Sequence, residues 1–363
     1  MTKSLTFYAI LILFILTACG PKSLSLKNKL SSPAHHVEVG MVLFEKDKLA
    51  EAAREFQLAL EMEPKLGKAH IGLALVEAKR GNKKKAWQEI EKAEALVKDK
   101  ADEVSVNIGK IRLVYLLFSP EDLPLAEEVF TKIMAIKPGN AQACFYMALV
   151  YERAFLFDKA LSLLDRVLKS ENTYVLQAYN EIDKLTKIKQ AHPVSDIGKE
   201  IGLKDAITRA DMAALLVHEL HLPELLEVPH SPLPVIRDIG TEPFAEEITA
   251  IVPLQLRELS ATVDGYFDPQ LKITKASLCE ILEDILVRIL GDNTLRHRFK
   301  KVRSPYKDLD PKAPYYNACI LGLVKGFVTP QDYLNKEFGP LSPVSGADVL
   351  LGLKRLREEA KII

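Results

Sequence analysis

Small and bulky apolar residues recur at a fixed spacing in the first half of the chain. Two windows, 34 residues apart, carry them at equivalent places: Gly40, Ala52, Phe56 and Ala59 in the first, and Ala74, Ala86, Ile90 and Ala93 in the second. A small residue on one helix lets a second helix approach closely, and a bulky one fills the space toward the next pair. The pattern therefore predicts helix pairs, which stack because one pair cannot bury its apolar face alone.

Two further windows continue the pattern toward residue 170. Their matching positions are Ala126, Phe130, Ile133 and Pro138 in the third window, and Ala148, Ala160, Leu164 and Val167 in the fourth. Six additional residues around 98–106 break the period, and Val114 stands where Gly or Ala is usual, so the register of the third window is open. A helix over Tyr174–Gln190, with Asn172-Thr173 as its N-cap, is expected to end the stack.

This spacing resembles that of the tetratricopeptide repeat, a helix–turn–helix unit of about 34 residues. The resemblance implies an all-helical solenoid over residues 34–191, whose concave face binds a protein or a peptide. An ordinary helical bundle with accidental alanine spacing is the alternative.

The pattern changes after His192-Pro193, where a second domain over residues 192–363 is expected. Thr208, Thr274 and Ser345 each precede an apolar helix that their hydroxyls can cap. Two longer copies of this arrangement cover about 236–290 and 306–356. They include helices predicted over Phe244–Leu256 and Tyr315–Lys325. The first copy is shorter, with Val194–Ile197 as the remnant of its beginning.

These copies resemble S-layer homology motifs, which end in a Thr-Arg-Ala-Glu-like turn before a helix. The resemblance implies a helical domain of three motifs about a pseudo-threefold axis, with grooves that bind acidic cell-wall polysaccharide. Arg209 matches the arginine of that turn, and Asp211 stands at its acidic position. Lys275 is a partial match and Gly346 has lost the charge. The candidate polymer-binding residues are therefore Arg209, Asp211 and Lys275; a purely scaffolding role is the alternative.

The N-terminus combines Lys3, an apolar run over Leu5–Leu16 and the sequence Leu16-Thr17-Ala18-Cys19. This layout is typical of a secretory signal and resembles a bacterial lipobox. The resemblance implies a signal peptide over residues 1–18, lipidation of Cys19 and a tether over 19–33. Gly20, with no Asp after the cysteine, resembles lipoproteins that are sorted to the outer membrane, and this resemblance implies its periplasmic face. An ordinary cleaved signal or an anchor helix stays open.

Composition narrows the function further. The 363 residues carry 49 basic and 49 acidic side chains, which argues against a general nucleic-acid binder. Besides Cys19 there are three cysteines, Cys144, Cys279 and Cys319, each within an apolar run. We expect buried free thiols, with a Cys279–Cys319 bridge as the alternative.

The sequence contains no spacing typical of a zinc site, a phosphate loop or a nucleophile elbow. We therefore expect no cofactor, no metal site and no catalytic residues. The basic run Arg296–Arg303 could contact an anionic glycan or lipid head groups, or be a solvated linker. The predicted function is a non-catalytic cell-envelope lipoprotein that binds a protein through its solenoid and wall polymer through its second domain. The alternative is an envelope assembly or export factor whose second domain binds protein or only supports the fold.

Overall fold

The computed structural model describes residues 32–170, 173–229 and 235–362. Cys19, the predicted signal peptide and most of the predicted tether lie outside these residues. The chain divides into two compact units, the first ending at Val150 and the second beginning at Tyr151. The domain boundary expected before residue 192 stays a prediction. The described residues form helices and isolated β-bridges but no strand, so the predicted all-α class is confirmed.

The first unit consists of helix pairs. In chain order its helices are α1 (Pro33–Glu45), α2 (Leu49–Met62), α3 (Gly67–Lys79), α4 (Lys83–Ala95), α5 (Lys100–Leu116) and α6 (Leu123–Ile136). Helix α7 (Ala141–Arg153) begins in this unit and ends in the second. Consecutive helices pack as the pairs α1/α2, α3/α4 and α5/α6, and α3 also packs against α2 and α5. No helix among the described residues is both long and apolar enough to cross a membrane.

Phe56 shows why the small residues recur. Its ring is buried on α2, and a methyl group placed on either Gly40 or Gly72 would come within 2.6 Å or 2.4 Å of it. Gly40 belongs to the same pair and Gly72 to the next one, so a single ring joins two pairs. On the second pair, Ile90 packs in the same way against Gly109 of α5. The predicted role of the bulky position is therefore confirmed.

A polar contact repeats with the same period. His36 on α1 lies 2.7 Å from Glu55 on α2, and 34 residues later His70 lies 2.7 Å from Glu89. Each pair joins the Nδ1 atom of the histidine to Oε2 of the glutamate. No prediction from the sequence included this contact, although the repeated His and Glu positions are visible there.

The third pair departs from the first two at its turn. Residues 117–122 separate α5 from α6, whereas three residues suffice between α1 and α2 and between α3 and α4. Pro120–Asp122 form a single 3₁₀ turn there. Three of the six additional residues therefore lie in the turn rather than around 98–106. This shift places Ile111, not Val114, at the position of Ala74.

The second unit contains nine α-helices after the end of α7, among its described residues. They are α8 (Phe157–Leu168), α9 (Val175–Ala191), α10 (Asp196–Gly202), α11 (Arg209–His218), α12 (Leu222–Leu225), α13 (Ala245–Ile251), α14 (Lys275–Leu290), α15 (Tyr316–Lys325) and α16 (Gly346–Ala360). We call residues 194–218 motif 1, residues 235–290 motif 2 and residues 304–360 motif 3. Each motif contains a helix pair: α10/α11, α13/α14 and α15/α16.

The predicted caps are confirmed at all three motifs. The hydroxyls of Thr208, Thr274 and Ser345 accept the backbone N–H of the third helical residue of α11, α14 and α16. Two other predictions need correction. The N-cap of α9 is Tyr174, without a side-chain hydrogen bond, while Asn172 lies outside the described residues.

The second correction concerns α13, which ends at Ile251 instead of continuing to Leu256. A 3₁₀ turn over Val252–Leu254 follows, and it contains Pro253. Proline has no N–H and its ring clashes with the preceding turn, so the α-helix cannot continue through it.

A closed ring of backbone hydrogen bonds joins the three motifs. Ile207 N–H donates to Val344 at 3.0 Å, Val344 to Ile273 at 3.1 Å, and Ile273 to Ile207 at 3.0 Å. Each residue stands directly before a helix cap. One residue from each motif therefore both donates to and accepts from its neighbours, as expected for three equivalent units around one axis.

Candidate functional site

A cleft of about 370 Å³ lies in the first unit at the beginnings of α1, α3 and α5. Its apolar lining includes Val37, Ile71 and Val106. Acidic and basic side chains line it as well: Glu38, Glu63, Asp102, Lys65, Lys68 and Lys98. The volume is in the range of small-ligand sites. A lining with apolar residues and side chains of both charges suits an apolar side chain of a peptide.

A second cleft, of about 360 Å³, lies in the second unit between motifs 2 and 3. Lys275 lines it together with Thr329, Gln331 and Ser342, so ammonium, amide and hydroxyl groups converge there. Lys187 of α9 and Asp348 of α16 also line it and form an ion pair at 2.9 Å. These groups can donate and accept hydrogen bonds, as recognition of a sugar requires.

Lys275 donates hydrogen bonds to the backbone of the protein itself. Its Nζ donates to the carbonyls of Thr329 and Phe338, each at 2.9 Å, and lies 5.3 Å from the centre of the Phe338 ring. Burial lowers the pKa of this ammonium from its ordinary value. An ammonium has three N–H donors, so one remains for a ligand in the cleft.

Arg209 makes the equivalent contact between motifs 1 and 2. Its guanidinium lies 4.6 Å from the centre of the Phe267 ring and donates to three carbonyls, those of Phe267 (2.7 Å), Ser260 (3.0 Å) and Glu258. Arg209 lines neither the cleft of the first unit nor the cleft between motifs 2 and 3. The structure therefore places the two predicted basic residues at equivalent positions, and of these two clefts only the second contains one of them, Lys275.

Gly346 occupies the third of these positions, between motifs 3 and 1. A methyl group on it would come within 1.8 Å of the Ile201 carbonyl oxygen. There is thus no space for a basic side chain at this position. Motif 1 also lacks the long loop to which Arg209 and Lys275 donate hydrogen bonds, which covers residues 255–273 in motif 2 and 326–344 in motif 3.

Asp211 is buried and engaged within motif 1. One carboxylate oxygen accepts the Thr208 N–H at 2.9 Å, completing a capping box, and the other accepts from Lys204 Nζ at 2.7 Å. Its exposed fraction is 2%, so direct contact with a polymer would require this arrangement to open.

Two aspartates position the long loops, and the sequence analysis assigned them no role. Asp238 accepts the N–H groups of Phe267 and Asp268, and Asp308 accepts those of Phe338 and Gly339 at 2.8 and 2.7 Å. Burial acts to raise the pKa of Asp308, but these two donors hold it below its ordinary value. The recurrence of Asp about 30 residues before each Phe was the available signal.

The basic run Arg296–Arg303 is partly neutralised. Arg296 pairs with the buried Asp284 at 2.5 Å, and Arg298 pairs with Asp292 at 3.0 Å. Arg257 also pairs with Asp284, at 3.0 Å. The sequence could not indicate these partners, which lie on α14 and on the turns beside it. Lys300, Lys301 and Arg303 stay exposed, and none of them makes an ion pair with another described residue.

Buried carboxyls form a further cluster that the sequence analysis missed. Glu152 and Glu181 lie beside Lys184, whose Nζ is 3.5 Å and 2.7 Å from their carboxylate oxygens. Asp205 is 3.6 Å from the same ammonium but mostly exposed. Burial and the neighbouring Glu181 raise the pKa of Glu152 to about 8, against the effect of Lys184. Burial and Glu181 therefore favour the protonated form of Glu152.

The cysteines and the histidines of His218-Glu219-Leu220-His221 are the remaining candidate residues. Cys144, Cys279 and Cys319 are buried thiols that form no disulfide, as expected from their apolar surroundings. His218, the first histidine of His218-Glu219-Leu220-His221, lies 2.8 Å from Glu247. No group of three or more His, Cys, Asp or Glu side chains within residues 32–170, 173–229 and 235–362 is arranged to hold a metal ion.

Comparison with known proteins adds little to this geometry. No protein-family model and no curated protein matches the chain. Among solved structures, a chain from the functional characterization of Pseudomonas aeruginosa pilF is similar, at 15% identity and a TM-score of 0.23. The match covers 47% of this chain and 96% of that chain. Such a low TM-score carries no argument, so the function has to be inferred from the helix pairs and clefts themselves.

Proposed function

We propose that this protein is a non-catalytic adaptor of the bacterial cell envelope. Its solenoid binds a protein or peptide, its second unit contacts wall polymer, and lipid on Cys19 holds it to a membrane. The observation that carries the first part is the cleft with the partly apolar lining at the beginnings of α1, α3 and α5. Stacked helix pairs present such extended surfaces to peptides in general.

Site-specific photocrosslinking in cells tests the peptide site. A photoreactive residue at Glu38 or Lys68 lines the cleft, whereas one at Lys92 on α4 is an exposed control outside it. The proposal expects one protein to crosslink from both cleft positions and not from Lys92. Equal crosslinking from all three positions would reject the cleft as the binding site.

For the second unit, the supporting observation is Lys275 in the polar cleft between motifs 2 and 3. Together with the resemblance to S-layer homology motifs, it favours an acidic polysaccharide as the ligand. Arg209 and Asp211 would support this site indirectly, through the fold of motifs 1 and 2. The alternative is an envelope assembly or export factor whose second unit binds protein or only supports the fold, and the engagement of Arg209 with three carbonyls favours it.

Sedimentation with purified cell-wall sacculi separates these two functions. The full chain carrying Cys19→Ser should sediment at low salt, and Lys275→Gln should weaken this while added salt weakens it too. Gln331→Ala tests the cleft without changing charge. Failure of the parent protein to sediment at low salt would leave the scaffold alternative as the better one.

The membrane anchor has its own test. Metabolic labelling with a fatty acid should mark the wild-type protein and not the Cys19→Ser variant. Label retained on that variant would refute lipidation at Cys19, without bearing on the solenoid or the polymer site.

A further inference from the structure

The long loops of motifs 2 and 3 each carry an exposed aliphatic side chain at the tip. Val263 is 97% exposed and Leu334 is 94% exposed. Each stands four positions before the phenylalanine that fills the core, Phe267 or Phe338, which are both fully buried. The two loops therefore place an apolar side chain in water at the same position of the motif.

A tyrosine and a basic residue accompany each tip. Tyr266, three positions after Val263, and Tyr333, directly before Leu334, are both exposed. Arg237 and Lys307 are held to the same loops by their backbone, because their N–H groups donate to Gly265 at 2.9 Å and Lys336 at 3.1 Å. Both basic side chains are exposed, and neither forms an ion pair with another residue that the structure describes.

Hydrogen bonds hold both tips in shape. In motif 2, Thr262 N–H donates to Tyr266 and Gly265 N–H donates to Thr262, both at 2.9 Å. In motif 3, Asp332 and Glu337 exchange two backbone hydrogen bonds of 2.9 Å. Such preformed loops lose little conformational freedom when they bind a surface.

The ring that joins the motifs relates the two tips to each other. Rotation about one axis leaves equivalent points at the same height along that axis. Binding of one flat surface by both tips requires that surface to lie perpendicular to the axis. Aliphatic, tyrosine and basic side chains are the types that membrane interfaces favour, since the first enters the acyl boundary and the others meet the head groups.

We propose that these two loop tips bind an anionic lipid surface. Val263 and Leu334 enter the head-group region, and Arg237 and Lys307 pair with anionic head groups. Asp264 in motif 2 and Asp332 and Glu337 in motif 3 oppose an anionic surface, and Lys336 offsets one of the two in motif 3, so neither tip is expected to bind more strongly than the other. This contact is separate from lipidation at Cys19 and from the polymer cleft.

A fluorescent probe at the tips tests the proposal. The full chain with Cys19→Ser carries an environment-sensitive fluorophore on Leu334→Cys or Val263→Cys; its native Cys144, Cys279 and Cys319 are buried and do not react. Label on Leu176→Cys, an apolar residue of α9 that is 72% exposed, is the control. Because the probe reports its own surroundings, binding by the N-terminal residues does not obscure the result.

With vesicles of equal parts phosphatidylglycerol and phosphatidylcholine, emission from both tips should shift to the blue. Pure phosphatidylcholine should give a smaller shift, and the Leu176 probe should give none. No shift at residue 334, or an equal shift at the control, overturns the proposal. A response to purified sacculi without one to vesicles also overturns it, since the tips then contact the wall.

Charge and apolar contributions are separable by substitution. With the probe at residue 263, Leu334→Asp should weaken the vesicle response roughly tenfold. Lys307→Gln should reduce its dependence on salt. Leu176→Asp, the matched exposed control, should change neither. Equal effects of Leu334→Asp and Leu176→Asp would overturn the role of the tip.

Discussion

At the scale of single residues, the charges that resemble a ligand site bind the protein's own backbone. Arg209 donates to three carbonyls of motif 2, and Lys275 to two carbonyls of motif 3. These acceptors lie about 50 to 60 positions away in the chain, and a carbonyl has no sequence signature. A basic residue in a turn therefore looks replaceable in the sequence while it joins two motifs in the fold.

Replacing these residues with alanine measures what they contribute. Arg209→Ala should lower the free energy of unfolding by about 2–4 kcal/mol and Lys275→Ala by about 1–2 kcal/mol, because hydrogen bonds from charged groups are lost and carbonyls are left unpaired. Urea denaturation checks this. The exposed Lys301→Ala should stay within about 0.5 kcal/mol of wild type. If Arg209→Ala behaves like Lys301→Ala, the three hydrogen bonds do not stabilise the domain.

Glu152 shows how tertiary neighbours set a protonation state. Burial raises its pKa to about 8, Glu181 contributes in the same direction, and Lys184 opposes. Asp205 reaches the same ammonium from the turn after α10. The folded state therefore keeps a proton that the unfolded chain loses near its ordinary pKa of 4.5. Stability should consequently fall as pH rises between these two values.

Glu152→Gln should remove this pH dependence. The wild-type protein should lose stability from about pH 5 to about pH 8, with a slope of up to about 1.4 kcal/mol per pH unit from this group. Glutamine cannot ionise, so the variant should show a flatter profile and be the more stable protein at the upper end. Urea unfolding at several pH values measures it, with the exposed Glu246→Gln as control. Parallel profiles for wild type and Glu152→Gln would contradict the assignment.

At the scale of helices, close approach depends on a few glycines. Phe56 fits between Gly40 on its partner helix and Gly72 on the next pair. The 34-residue period predicts Gly40, because it belongs to the recurring small positions. Gly72 falls outside that set, so only the packing of α2 on α3 explains why it has no side chain.

Whether replacing a glycine by alanine raises or lowers the stability of the protein tests this packing. Alanine is favoured over glycine within a helix by about 1 kcal/mol. Gly72→Ala should nevertheless destabilise by about 1–3 kcal/mol, because the new methyl group would stand 2.4 Å from the Phe56 ring. Gly67→Ala, at the beginning of the same helix, meets nothing closer than 3.5 Å and should be neutral or stabilising. Thermal unfolding of both variants decides, and a stabilising Gly72→Ala would refute the close contact.

At the scale of the whole molecule, each compact unit closes its core differently. In the first unit each pair covers the next, so contacts stay local along the chain. In the second unit, motif 3 returns to motif 1 and closes a ring. Gly346 is the point of closure, with backbone of Ile201 and Gly202 against it.

Gly346→Ala should open this ring. Its methyl group would meet the Ile201 carbonyl at 1.8 Å, and both neighbours are backbone, so relief requires movement of a helix. We expect a loss of about 3 kcal/mol or more in urea unfolding. Amide hydrogen exchange at Ile207, which donates to Val344, should become faster. Gly240→Ala has open space around it and is the control; unchanged exchange at Ile207 in Gly346→Ala would argue against a ring closed at this point.

The sequence by itself determined the local features of this protein. The period of 34 residues, the helix pairs, the caps at Thr208, Thr274 and Ser345 and the three copies in the second half all depend on neighbours within a few turns of helix. Hydrophobic periodicity and capping hydroxyls express such local preferences directly, so they can be read without a structure.

Only the tertiary structure decided where distant groups meet. It set the register of α5, the ring that joins Ile207, Ile273 and Val344, and the carbonyls that Arg209 and Lys275 bind. It also brought Glu152 beside Glu181 and separated the cleft with Lys275 from Arg209. These outcomes depend on backbone groups and on burial. Backbone N–H and C=O groups are the same for every residue type, and how deeply a side chain is buried is set only when the chain is packed. Neither can therefore be read from the sequence.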